Sequence, residues 1–152
     1  MGNRAVITIG FQDTKGNFNI YKEDELGIYL HWNGGYDSVS AFLKYCDLHD
    51  YVSPEQDCYG WARLCQVIGN FFGGSSSLGI DKCKKLDCDN YDNGVYLINN
   101  WEIVGRKYFN GKEQNCYDLL EAVLEINKRM PVSEQLDEKY IIDKIKNNKG
   151  NT

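Results

Sequence analysis

The chain has 152 residues, a formal net charge of −5 and 42% hydrophobic residues, which is typical of one folded domain and not of a disordered segment. Its apolar runs are only a few residues long and its N-terminus lacks a secretory signal, so we expect a cytoplasmic protein that does not span a membrane. The acidic balance and the lack of a Lys/Arg stripe predict no direct binding of duplex nucleic acid.

The strand patterns come first in the chain. "RAVITIGF" predicts an opening strand, and "FNIYK" predicts a second strand after a turn at "DTKGN". In "LGIYLHW", Ile28, Leu30 and Trp32 alternate with Tyr29 and His31, which indicates a strand with one buried face and one polar face. The glycine pair that follows ends this strand.

Helices are predicted next. One helix follows the glycine pair, with Asp37 or Ser38 as its N-cap. In "SPEQ", Ser53 has the position of an N-cap and Gln56 that of its capping-box partner, so a second helix is predicted to begin there and to end at the "GG" of residues 73–74.

The last third of the chain predicts a short strand after "SSSLGI", a hairpin with its turn at residues 99–100, and helices over about residues 117–130 and 134–146. We therefore predict a single α+β domain, an antiparallel β-sheet packed by about four helices, over residues 1–152, with 147–152 as a frayed polar tail.

The six cysteines occur without a secretory signal, so reduced thiols are expected and not a disulfide framework. No two cysteines have the CxxC spacing, and only two histidines occur, so the sequence predicts no metal site. A zinc site assembled from distant Cys and His residues stays open, as does a Cys–His nucleophile that pairs His31 or His49 with Cys58 or Cys65.

Two other stretches resemble ligand loops only in part. "DCDNYDNG" lacks the ligands that a calcium-binding EF-hand loop needs at its fifth and twelfth positions. "GGSSSLG" follows a helix and lacks the lysine of a P-loop, although its backbone amides could hold an anion. We interpret the first as an acidic turn and the second as a connecting loop.

Large aromatic and arginine side chains favour a binding protein, because aromatic rings stack on nucleobases and guanidinium groups bind phosphate. Tyr59 and Arg63 are four residues apart on a helix and hence lie on the same side. The candidate ligand-binding residues are Tyr29, His31, Trp32, Asn33, Tyr36, Tyr59, Arg63, Arg106 and Tyr108. For Trp32 a role in the core is the alternative. We predict no catalytic residues and no cofactor.

The segments "GIYLHWNGG", "CYGWARLCQVIGNFFGG", "LDCDN" and "WEIVGR" resemble a family of small proteins from phages and integrative elements of Gram-positive bacteria, over about residues 4–117. The resemblance implies an anti-defence factor acting in the host cytoplasm, and no catalytic residues are carried over from it.

The leading hypothesis is a non-enzymatic protein that sequesters a nucleotide-type ligand or immune signal. One alternative is a protein-interaction inhibitor, similar to an anti-CRISPR protein, that blocks a nucleic-acid-binding effector of host defence. A small Cys- or metal-dependent enzyme is the second alternative. Whether the protein forms a homo-oligomer stays open.

Overall fold

A computed structural model describes residues 2–113 and 116–149, with side chains described up to residue 147. Over these residues the chain forms one α+β domain in which four α-helices pack on a five-stranded sheet. The strands are β1 (Ala5–Ile9), β2 (Leu26–Leu30), β3 (Leu78–Lys82), β4 (Val95–Asn99) and β5 (Glu102–Lys107). The helices are α1 (Tyr36–Leu48), α2 (Tyr59–Phe72), α3 (Leu119–Lys128) and α4 (Glu138–Lys149).

The sheet has the order β3-β2-β1-β4-β5 and is mostly antiparallel. The exception is the central pair, because β1 and β4 run parallel, with Ile7 opposite Tyr96. The predicted α+β class is confirmed, and the predicted antiparallel pairing holds for every neighbouring pair of these strands except β1 and β4. Parallel neighbours need a long crossover connection, and here 85 residues, which include both α1 and α2, separate the two strands.

The central strand β1 is buried along its whole length, and its residues are apolar except for Thr8, whose hydroxyl donates to the carbonyl of Leu26 at 2.8 Å. Ala5, Ile7 and Ile9 face the large core, which the four helices complete. Val6 faces a smaller core on the other side of the sheet, built with Val95 and Leu97 of the neighbouring strand β4. The helices therefore cover one face of the sheet, and loops cover the other.

Several element boundaries differ from the predictions. "FNIYK" forms only an isolated bridge between Phe11 and Ile20 instead of a strand. The hairpin turn lies at Asn100 and Trp101, which both have positive φ, one residue later than expected. The last helix begins at Glu138 and continues to Lys149, so residues 147–149 are helical, and the rest of the predicted tail, 150–152, lies outside the described residues.

The predicted start of the second helix at Ser53 is wrong. Residues 54–56 form a turn, in which the backbone N–H of Gln56 donates to the carbonyl of Ser53 at 3.0 Å, and α2 begins only at Tyr59. The turn folds back onto the first turn of α2, where a Cβ on Gly60 would lie 2.5 Å from the nitrogen of Pro54. Glycine is therefore required at this close approach. The other end follows the prediction, since Gly73 closes α2 in a left-handed conformation.

Candidate binding groove

The polar face of β2 ends in a small cluster of rings. The Tyr29 hydroxyl lies 3.0 Å from Nδ1 of His31, and the imidazole ring packs edge-on against Trp32 with ring centroids 5.1 Å apart. The backbone N–H of Trp32 donates to the hydroxyl of Ser77 at 3.2 Å. The indole ring is not part of the core, because Trp32 is 46% exposed. The alternation that buries Ile28 and Leu30 ends with the strand, so it does not predict the burial of Trp32.

The loop after Trp32 turns the chain sharply into α1. Asn33 has a positive φ of 56°, and the hydroxyl of Tyr96 donates to the carbonyl of Gly34 at 2.7 Å. A Cβ on Gly34 would lie 2.5 Å from the carbonyl oxygen of Asn3, so only glycine fits between these backbones. Gly35, and neither Asp37 nor Ser38, is the N-cap residue of α1.

Two adjoining cavities of about 260 and 220 Å³ lie between the N-terminal half of α1 and the length of α3, and we call them together the α1–α3 groove. They share Asn33, Ser38 and Tyr117, so they form one depression. The larger cavity is also lined by Ala41, Phe42, Phe71, Glu121, Ala122, Glu125, Ile126 and Arg129. The smaller cavity is also lined by Asn3, Trp32, Asp37 and Cys116.

Asp37 closes the groove at one end. Its carboxylate accepts backbone N–H groups from Cys116 at 2.6 Å and from Tyr117 at 2.9 Å. These hydrogen bonds fasten the segment before α3 to the first turn of α1, where a carboxylate is favoured by the helix dipole. Tyr117 is thereby held at the groove with a 58% exposed side chain.

The charges at the groove are mostly negative. Arg129 is the one cation among the described lining residues, and its Nε donates to Glu125 at 3.1 Å. Its guanidinium also lies over the ring of Phe71, 4.4 Å from the centroid, and donates to the carbonyl of Phe71 at 2.8 Å. The carboxylates of Asp37 and Glu121 have no cation of their own among these lining residues. The groove therefore combines an aromatic and apolar floor with a net negative rim.

No family model, curated protein or solved structure matches this chain.

Of the residues predicted from the sequence, Trp32 and Asn33 line the groove, and Tyr29 and His31 lie beside its mouth. Tyr36 lies at the start of α1 and packs its ring against Tyr96, with centroids 6.3 Å apart. Tyr36 is not among the lining residues.

Arg106 is engaged inside the protein. Its guanidinium lies between the rings of Tyr96 and Phe109, 4.0 and 3.9 Å from their centroids. It also donates to the carbonyl of Asn93 at 2.6 Å and forms an ion pair with Glu113. Its planar faces and two of its nitrogens are therefore occupied, which indicates a structural role.

Tyr59 and Arg63 lie elsewhere, near the C-terminal end of α1. The guanidinium of Arg63 is 5.8 and 5.9 Å from the ring centroids of Tyr51 and Tyr59. Since α1 has 13 residues and a helix rises about 1.5 Å per residue, roughly 20 Å separates this end of α1 from Tyr36. The remaining candidate, Tyr108, packs edge-on against Tyr21 and is not part of the groove. The structure thus does not bring Arg63 and Arg106 into one pocket.

His49 belongs to a buried polar network and contacts no cysteine within the described set of hydrogen bonds and ring contacts. Asn127 exchanges two hydrogen bonds with the backbone of Leu136, which fixes its Oδ1 as the acceptor for the Tyr45 hydroxyl at 2.6 Å. Tyr45 then accepts from Nε2 of His49 at 3.2 Å. Burial lowers the pKa of His49, against a smaller raising effect of its hydrogen bond to the backbone of Glu134.

Residues 2–113 and 116–147 contain no group of three or more His, Cys, Asp or Glu side chains arranged to hold a metal ion. In the part of the chain that the structure describes, no helix has the length and apolar character needed to cross a membrane.

The sequence indicated one side of the groove and missed the other. Phe42, Phe71 and Tyr117 come from three separate segments, and each fits a helical or loop pattern that carries no sign of a ligand. Asp37 was assigned to a helix cap, although its carboxylate binds a segment 80 residues away. A single sequence gives no information about which residues this far apart are in contact.

Proposed function

We propose that the chain is a non-enzymatic binding protein whose ligand lies in the α1–α3 groove. The observation that carries this proposal is the continuity of the two cavities, which places Trp32 at one end of a depression lined by Phe42 and Phe71. Concave, largely apolar sites with a few polar groups are the usual form of small-ligand sites.

The ligand class that we propose is a nucleotide-type molecule or immune signal, with its base inside the groove. The rings of Trp32, Phe71 and Tyr117 offer flat surfaces on which a base stacks. The rim restricts where a phosphate can go, because Asp37 and Glu121 repel it. A phosphate is therefore expected at the end of the groove where Arg129 lies, where it would displace Glu125 from a guanidinium that, unlike that of Arg106, is about half exposed. The resemblance to phage proteins supports a role as an anti-defence factor, for which affinity without turnover is sufficient.

A second candidate function is supported by the same negative rim. An inhibitor that blocks a nucleic-acid-binding effector must cover a basic surface, and carboxylates beside aromatic rings suit an arginine or lysine side chain of that partner. Asp37 and Glu121 provide such carboxylates, and the net charge of −5 would attract a basic protein over a longer range.

Calorimetric titration separates the two candidates. The probes are AMP, cyclic di-AMP and ADP-ribose for the first, and an oligoarginine peptide for the second. Saturable binding of at least one nucleotide, weakened by Trp32→Ala, supports the nucleotide proposal. Binding of the peptide alone, with an affinity that falls steeply as salt is added, supports the second candidate. If no probe binds, both proposals fail for this groove.

A further inference from the structure

A pair of cysteines lies in the small core on the face of the sheet opposite the helices, away from the α1–α3 groove. Cys83 follows β3 and opens a short 3-10 turn, Cys83–Lys85, and Cys88 lies five residues further along the chain. Both side chains are buried, with Cys83 1% and Cys88 8% exposed, and they pack with Val6 and Val95. Both cysteines are free thiols.

The turn between them returns Cys88 to Cys83. The Leu86 N–H donates to the Cys83 carbonyl at 3.0 Å, and the Cys88 N–H donates to the Leu86 carbonyl at 2.9 Å. The Cys88 thiol consequently donates to the Cys83 carbonyl oxygen at 3.2 Å. The hydroxyl of Tyr21, from the loop that follows β1, donates to the same sulfur at 3.5 Å.

These contacts differentiate the two thiols. A hydrogen bond from Cys83, helped by the one from Tyr21, lowers the pKa of Cys88 to about 7, although burial opposes this shift. The same hydrogen bond to Cys88, together with burial, raises the pKa of Cys83. Cys88 is therefore the thiol of the pair that ionises first, on loss of the proton that it donates to the Cys83 carbonyl, and Cys83 is the neighbouring thiol that can resolve an oxidised sulfur.

We propose that Cys83 and Cys88 form an oxidisable dithiol that closes to an intramolecular disulfide on reaction with a hydroperoxide. The Cys88 thiolate attacks a peroxide oxygen and the O–O bond breaks, which gives a sulfenic acid on Cys88 and, with hydrogen peroxide and one proton, a water molecule. The Cys83 sulfur then attacks the Cys88 sulfur, loses its proton, and displaces the oxygen as a second water. The two thiols are oxidised and the peroxide is reduced.

The other cysteines have different surroundings. Burial raises the pKa of both Cys46 and Cys65, which disfavours their thiolates. Cys58 and Cys116 are exposed and would react with any oxidant without a built site. The double variant Cys58→Ser/Cys116→Ser removes this background, and neither residue contributes to the small core.

The test is oxidation of the folded double variant with hydrogen peroxide, followed by trypsin digestion and mass spectrometry without reduction. The sequence "CKKLDC" has Lys84 and Lys85 between the two cysteines, so trypsin separates them unless a disulfide joins the peptides. The expected result is a linked pair of peptides and an intact mass lower by two hydrogen atoms. Independent peptides, with Cys88 unmodified or carrying sulfinic acid, would overturn the proposal.

Two further variants, made in the Cys58→Ser/Cys116→Ser protein, test whether Cys88 is the attacking sulfur. Cys83→Ser should leave Cys88 to accumulate as sulfenic acid, which a dimedone adduct on its peptide reports. Tyr21→Phe removes the hydroxyl and retains the ring, and it should slow disulfide formation by about threefold, because a smaller fraction of Cys88 is then thiolate. Absence of the adduct, or a rate unchanged by Tyr21→Phe, would contradict the assignment of Cys88 as the attacking sulfur. The measurement on the double variant does not depend on either of these variants folding.

Discussion

The carboxylate of Asp37 accepts a hydrogen bond from the backbone N–H of Tyr117, with an Oδ2···N distance of 2.9 Å, and so connects the start of α1 to the segment before α3. Because Cys116 donates to the same oxygen, one side chain fixes two consecutive backbone groups. The α1–α3 groove depends on this connection, since Tyr117 lines both of its cavities.

Loss of the Asp37 carboxylate is expected to loosen the groove. Asp37→Ala should lower the free energy of unfolding by about 1–2 kcal/mol, since it removes hydrogen bonds from the backbone N–H groups of Ser38, Cys116 and Tyr117 to a charged acceptor at a partly exposed site. It should also lower the affinity of the groove for any ligand. The matched control is Asp47→Ala, at an exposed position in the last turn of the same helix. Equal effects of the two variants in urea unfolding would contradict this role of Asp37.

Filling the groove should block it without unfolding the protein. Ala122 lines the larger cavity from α3, and Leu has nearly the helix propensity of Ala, so Ala122→Leu adds volume where the ligand is proposed to lie. We expect at least a tenfold loss of calorimetric affinity for a nucleotide probe that the wild type binds, about 1.4 kcal/mol. Lys128→Leu, at an exposed position of the same helix outside the groove, should leave binding unchanged.

Arg106 should prove structural and not ligand-binding. Arg106→Lys keeps the charge but loses the planar group that stacks between Tyr96 and Phe109, so we expect a loss of about 1–2 kcal/mol in the free energy of unfolding. Arg63→Lys is the control, because Arg63 is exposed and lies over its rings at longer distance. Thermal unfolding compares the two, and an Arg106 variant as stable as the wild type would be inconsistent with the stacked arrangement.

The buried hydroxyl of Tyr45 is expected to stabilise the junction of α1 with α3. Tyr45→Phe removes the donor to Asn127 and the acceptor for His49, and we expect a loss of about 1–2 kcal/mol. Tyr59→Phe, at a 61% exposed position, should have no measurable effect on urea unfolding. If the free energy of unfolding of Tyr45→Phe equals that of the wild type, the prediction is wrong, and water or a rearranged Asn127 replaces the hydroxyl.

The same network predicts a pH dependence of stability. Burial lowers the pKa of His49 in the folded state below its unfolded value of about 6.5, so the unfolded chain binds more protons near that pH. The contribution of His49 is therefore complete above about pH 6.5 and is lost as the pH falls from there through the folded-state pKa. His49→Gln should flatten the stability profile below about pH 6.5. A profile unchanged by this substitution would contradict the prediction.

The sequence predicted the elements that depend on local patterns. The alternation of β2, the apolar run of β1 and the glycine at the end of α2 all appear as expected, because each is determined by residues a few positions apart. The parallel pairing of β1 with β4 depends on which distant strands meet, and local periodicity carries no information about that. Residues 54–56 form a turn where the sequence predicts the start of a helix. Ser53 followed by Pro54 fits both, because this pair of residues is common at helix N-termini and in turns.

The candidate site was predicted only in part for a similar reason. Trp32 and Asn33 follow a clear strand and were candidate residues, although the alternation of that strand assigned Trp32 to its buried face. Arg63 and Arg106 were grouped by chemistry alone, and the fold places them at separate positions. The sequence carried no prediction for Glu121 and Glu125, because only the packing of α3 on α1 brings them to a cavity.

Trp32 provides the most direct test of the central claim, that the α1–α3 groove binds a nucleotide-type ligand. It is 46% exposed at the groove, whereas Trp61 and Trp101 are 9% and 5% exposed, so a groove ligand should act mainly on the fluorescence of Trp32. The measurement is tryptophan-selective fluorescence titrated with AMP, cyclic di-AMP and ADP-ribose, for the wild type, Ala122→Leu and Arg63→Ala. We predict a saturable change with at least one probe in the wild type and Arg63→Ala, and none in Ala122→Leu. No saturable change with any probe, or a loss in Arg63→Ala but not in Ala122→Leu, would contradict the account.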